Sequence, residues 1–236
     1  HYLNIQQFMN QKLGLGNVTD NTLACRKALF DVRKMYWSDS LCEFLQISPE
    51  MLGSDIRIAD SIIDTIRNYG PVEFAQEIPV MLGGHDSECG LIGLGCIPGS
   101  YDVLGNISGT YDVIGYFVNE HVTKYHEPLE SFCGPFKNSF EFGGASITGP
   151  NLNWFVNTFY KEESINVIHR LFNSNSFDGT NKVFLTQGLQ TGNGCFRGIT
   201  LTSTLGDMFK AVIEGGTYPL KSVLNLLVLY NNRKFG

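Results

Sequence analysis

The sequence holds little charge and no surplus of cations. Charged residues make up 17% of the 236 positions, with 17 Lys and Arg against 23 Asp and Glu, so the formal charge is −6. Nucleic-acid binding draws on surplus Lys and Arg, so that balance excludes it as the main activity. No apolar run is long enough to cross a membrane. The six cysteines (25, 42, 89, 96, 133 and 195) include no CxxC pair and no Cys/His spacing of a zinc site, and reduced thiols are expected. His121 and His126 lack a matching Cys or Asp and read as solvated loop histidines. The chain starts at His1 without a Met or a leader, the sequons at Asn17 and Asn106 carry little weight without a secretory context, and the reduced thiols are those expected of the cytoplasm. A GxxxxGK[ST] loop is absent, and so is a nucleophile elbow for Ser-His-Asp chemistry. Gly93-x-Gly95 lacks the third glycine of a dinucleotide fingerprint, and a nicotinamide oxidoreductase reading would rest on that pair alone.

What is present is apolar material for a core, at 43%, and 26 glycines clustered between apolar runs, as in an α/β protein with tight backbone approaches. Periodicity predicts a helix whose apolar face is Tyr2, Ile5, Phe8, Met9 and Leu13, and a second over Ala59 to Tyr69 stopped by Gly70-Pro71. The first third as a whole reads helical. Ile78 to Leu82 reads as a short buried strand and Ser87 to Gly95 as a helix. The texture changes at Pro98-Gly99-Ser100, giving domains 1–99 and 100–236. Strands are predicted over Val103 to Ile107, Tyr111 to Val118, Val183 to Leu185 and Ile199 to Leu201, and helices over Asn151 to Tyr160 and around Ile165 to Phe172. Two final helices carry Leu205 to Ile213 and Leu220 to Val228, separated by Gly215-Gly216.

Three local features could carry chemistry. Gly83-Gly84-His85-Asp86 ends the predicted strand, where ligands of open α/β folds sit. Asp86 could accept a proton from a substrate hydroxyl, or it could cap the following helix. Ser108-Gly109-Thr110 lies between strands, where backbone amides could meet a phosphate, or it could be a plain hairpin turn. Glu214 at a helix C-terminus would oppose the dipole, which suggests a cap or a buried hydrogen bond.

Taken in order, several segments resemble the FGGY family of carbohydrate kinases. Asn17-Val-Thr-Asp-Asn-Thr-Leu-Ala24, Leu29-Phe-Asp31 and Trp37-Ser38 are similar to its "VTD…A…LFD…WS" stretch, and Val80-Met-Leu-Gly-Gly-His-Asp86 to its "PV…GGHD". Ile107-Ser-Gly-Thr110 is similar to its phosphate hairpin and Gly149-Pro-Asn-Leu-Asn-Trp-Phe155 to its "G…WF" helix start. Phe196 to Leu201 and Phe209 to Gly215 are similar to "F.GLTL" and "RAVLEG". Asn193-Gly194, Thr186 to Gly192 and Lys210 depart from the family pattern.

The resemblance implies an α/β, actin-like, ribonuclease-H-like fold of two domains, the first incomplete, because the family's opening hairpin and its adenosine loop fall outside these residues. It implies transfer of the ATP γ-phosphoryl to a ketose or related sugar, with Asp86 as base and His85 and Ser87 holding sugar hydroxyls. ATP phosphates would meet Ser108, Gly109 and Thr110, with Gly149 and Asn153 also touching the nucleotide. Mg²⁺ would bridge the phosphates through a ligand outside this chain. His85 before the base is closer to the deoxyhexulose branch than to the glycerol or xylulose branches. A homodimer is left open, and the rival reading is a truncated, non-catalytic binding or assembly module.

Overall fold

The computed structural model describes residues 2–100, 103–124, 126–160, 164–175, 177, 180, 182–186 and 194–231. They divide into two compact units. The first takes residues 1–103, 116–125 and 130–142, the second 104–115, 126–129 and 143–236.

The first unit opens with α1 (Ile5–Lys12), closed at its start by a capping box between Asn4 and Gln7. The predicted helix is present but faces the other way. Ile5, Phe8 and Met9 are exposed, whereas Gln7 and Asn10 are buried. Polar partners explain the inversion. Gln7 Nε2 donates to the Leu52 carbonyl and to Asn17 Oδ1, both at 2.8 Å, and Asn10 Nδ2 donates to the Val18 carbonyl at 3.0 Å. These bonds satisfy amides that burial would otherwise penalise.

Next come β1 (Val18–Asp20), α2 (Asn21–Cys25), a small hairpin of β2 (Phe30–Asp31) and β3 (Tyr36–Trp37), α3 (Asp39–Phe44), α4 (Pro49–Leu52) and β4 (Asp55–Arg57). β1 and β4 pair in parallel. Trp37 is fully buried against Ala24, Cys42 and Leu52, and its Nε1 donates to the Gly53 carbonyl at 2.6 Å.

Ala59 to Tyr69 is not helical. Residues Ile62–Tyr69 form β5, paired antiparallel with β6 (Val72–Met81) through a turn at Gly70-Pro71. Gly70 has φ +55°, as the first central residue of a type II′ turn requires. The isoleucines are β-branched and suit a strand, and a register shift between Ile62 and Asp64 sets Ile62 opposite Met81 and Ile66 opposite Ile78. β6 is longer than expected and mostly exposed, and the buried residue is Leu82 just beyond it. The helix α5 (Asp86–Gly93) follows.

A four-stranded sheet runs in the order β7 (Gly105–Ser108), β8 (Tyr111–Val118), β10 (Phe140–Ile147), β9 (Leu129–Cys133). In the second unit, α6 (Gly149–Phe159), α7 (Ser164–Ser174), β11 (Phe184–Thr186) and α8 (Leu205–Asn231) enclose a core of Phe155, Val167, Leu171, Leu185, Phe209 and Val212. β11 pairs with β12 (Cys195–Arg197) rather than with the predicted strand 199–201, and residues 187–193 lie outside the described set.

The two final helices are one. Gly215 and Gly216 lie inside α8, where a Cβ would press on Leu185 and Thr148. These glycines therefore serve close packing rather than termination. Glu214 consequently sits mid-helix, and the argument from an opposed dipole falls away.

Candidate functional site

The loop that carries His85, Asp86 and Ser87 is fixed from α2. Asp20, fully buried, caps α2 by accepting from the Thr22 and Leu23 amides at 2.8 and 3.0 Å. The Thr22 hydroxyl donates to the same carboxylate oxygen and accepts the His85 amide at 2.8 Å. Gly84, at φ +85°, brings the backbone against Ala59 and Thr22 where a Cβ would be crowded. Local sequence reading missed Asp20 and Thr22. Their pattern is that of an ordinary helix cap, and the contact to His85 lies 63 residues away.

His85 caps α5 and Asp86 is its first residue. The Asp86 carboxylate is 95% exposed, with Oδ1 accepting from the Ser87 amide at 2.8 Å. The cap of α5 is thus His85 rather than Asp86, whose carboxylate makes one local bond to the Ser87 amide and is otherwise exposed. His85 Nδ1 lies 2.8 Å from Ser87 Oγ and 3.1 Å from Asp86 Oδ1. Burial first, then the Arg26 charge, lowers the His85 pKa, which keeps the ring neutral near neutral pH.

Behind this edge lies a buried cluster. Arg26 pairs with Glu88 at 3.1 Å and with Glu141, and its guanidinium lies 3.6 Å from the Phe132 ring centroid. Glu88 is fully buried, 3.5 Å from His85 Nδ1. Burial, reinforced by the Glu141 charge and opposed by Arg26, pushes the Glu88 carboxyl up to about 10.

In the second unit, Ser108, Gly109 and Gly149 line one cavity of about 400 Å³, together with Asp112, Thr148 and Phe172. The turn after β7 and the start of α6 meet there, because a Cβ on Gly149 would run into the Gly109 carbonyl and reach Thr110. The turn edge and the helix N-terminus thus lie side by side, with the Gly109 amide donating to the Tyr111 carbonyl at 3.0 Å. Thr110 and Asn153 are exposed and are not among the cavity-lining residues. Asp112 is buried there. One carboxylate oxygen accepts from the Thr148 hydroxyl, and Oδ1 has no hydrogen-bond partner. Among the described residues no cluster of three or more His, Cys, Asp or Glu could hold a metal on its own.

Comparisons with known proteins bear on family and fold. Residues 1–93 match the model for the N-terminal domain of the FGGY family of carbohydrate kinases. The chain is 28% identical over 217 residues to a xylulose kinase of Staphylococcus epidermidis, covering 86% of this chain and 42% of the relative. It is 25% identical over 234 residues to a xylulose kinase of Lactococcus lactis, covering 93% and 46%. The chain thus spans less than half the length of these curated relatives. Its fold matches a gluconate kinase from Lactobacillus acidophilus with a TM-score of 0.73 at 20% identity, over 97% of this chain and 48% of that one. It matches a Plasmodium falciparum glycerol kinase with ADP at 0.75 and 16%, over 98% and 48%. The fold is the actin-like, ribonuclease-H-like α/β fold of these sugar kinases. In sequence and in fold the chain resembles the FGGY family of carbohydrate kinases, with residues 1–93 matching that family's N-terminal domain.

Proposed function

We propose that this chain carries the sugar-side base and a phosphate-binding hairpin of an ATP-dependent carbohydrate kinase. The observation that carries the reading is Asp86, an open carboxylate on a loop anchored by a buried Asp20–Thr22–His85 hydrogen-bond chain. Residues 1–99 would supply the sugar-binding part and residues 100–236 the nucleotide-binding part, working in the cytoplasm.

Asp86 accepts the proton of a sugar hydroxyl as its oxygen bonds to the γ-phosphorus, and the bond from that phosphorus to the ADP oxygen breaks. A carboxylate is a weak base, which suffices when the proton moves late. His85, held neutral, and Ser87 offer hydrogen bonds to neighbouring sugar hydroxyls. Ser108, Gly109 and Gly149 receive the phosphates, with Thr110 and Asn153 further along the nucleotide. Mg²⁺, when bound, supplies charge neutralisation at the phosphates, and Asp112 is the residue placed to hold it directly or through water. Positioning and charge neutralisation dominate such a reaction, which suits a chain with few catalytic side chains.

The relatives' names make a pentulose the first substrate to try. In the full-length protein, ADP release with ATP and Mg²⁺ should rise on adding D-xylulose, D-gluconate, glycerol or a deoxyhexulose. No rise with any of them would contradict the kinase reading and favour a non-catalytic binding module. The isolated 236-residue chain is expected to release no ADP above background.

A further inference from the structure

A separate cavity of about 400 Å³ lies wholly within the first unit, and none of His85, Asp86 or Ser87 lines it. Its size falls in the range that holds small organic ligands, about 300 to 1,000 Å³. Met35, Ile56, Ile58, Phe136 and Phe140 give it apolar walls. Two cationic side chains, Arg33 and Lys137, line it from exposed positions, and no ion-pair partner occurs for either among the described residues. Some other polar lining groups are already engaged. Arg57 pairs with Asp55 at 2.8 Å, while Asn21 bonds the Gly134 carbonyl and the Ala59 amide. His121 is not. Its ring packs on Phe140 at 5.4 Å, and its enclosed Nδ1 has no hydrogen-bond partner. The solvated histidine expected from the sequence is therefore a cavity residue with an unmet nitrogen.

We propose that this cavity binds a small phosphomonoester carrying an apolar ring. The ring would occupy the Ile, Met and Phe walls. The phosphate would take the Arg33 fork and the Lys137 point charge, a pairing that supplies strong charge-assisted hydrogen bonds. The site is independent of the kinase reading, because it shares no lining residue with the turn at Ser108–Gly109.

The test is a fluorescence titration of the full-length protein with 1-naphthyl phosphate, in the absence and presence of saturating ATP. Saturable one-to-one binding that persists with ATP is expected, weakened about tenfold or more in Arg33→Gln/Lys137→Gln. 1-Naphthol, which lacks the phosphate, should bind about tenfold more weakly than its ester. Both substituted residues are exposed, and an unchanged Tm shows that the variant is folded. The proposal is overturned by absence of saturable binding, by equal affinity in the folded double variant, by equal affinity for 1-naphthol, or by displacement with ATP.

Discussion

Arg26 has two buried carboxylates against it and one positive charge to share between them. Glu88 is the one pushed up to about 10, so near neutral pH it stays a neutral acid under the His85–Asp86 edge. The consequence for stability has a definite sign. An unfolded chain releases the Glu88 proton near the ordinary value of 4.5, whereas the folded chain keeps it to about 10. The folded state binds more protons across that window, so this contribution is complete below the unfolded pKa and is lost as pH rises. Glu88→Gln removes the titration while keeping the shape. Thermal unfolding from pH 5 to 9 should show a Tm that falls more steeply in the parent than in the variant, with the variant the more stable at pH 9. Parallel curves would show that Glu88 ionises normally in the fold. At this scale the sequence was legible where chemistry is local. Two glycines followed by an Asp marked Asp86, but nothing near Glu88 signals an Arg 62 residues earlier or a carboxylate on β10.

Elements were legible where one period dominates and misread where two compete. β8, α6 and α7 lie within a few residues of their predicted spans. β5 reads as a helix in sequence because Ile62, Ile63 and Ile66 fall on one helical side while a bulge between Ile62 and Asp64 breaks the strand alternation, and α8 reads as two helices because Gly215-Gly216 looks like a stop. α1 shows a third failure, since its amide side chains turn inward to meet backbone carbonyls that no local pattern reveals. Glycine at an element junction is the more useful signal. Gly149 starts α6 against the Gly109 carbonyl, so Gly149→Ala must move the helix start away from the turn. In the full-length protein this substitution should raise the KM for ATP by about tenfold and leave the KM for sugar near its parent value. An unchanged KM for ATP would separate this junction from nucleotide binding.

The whole chain keeps the order of the family's segments, and the comparisons follow that order across nearly all of its length. That long-range order identified the fold that element-by-element periodicity could not. Within it, the match of residues 1–93 to a family domain ends at the last residue of the helix begun by Asp86. In the function proposed above, that carboxylate is the group that takes the sugar proton. The direct measurement is steady-state phosphoryl transfer by the full-length protein and its Asp86→Asn variant, each tested as folded by its Tm and by sugar binding. A base that contributes in the usual range predicts a kcat lower by about a hundredfold or more with sugar affinity within about threefold. A folded Asp86→Asn variant that turns over at the parent rate would contradict it.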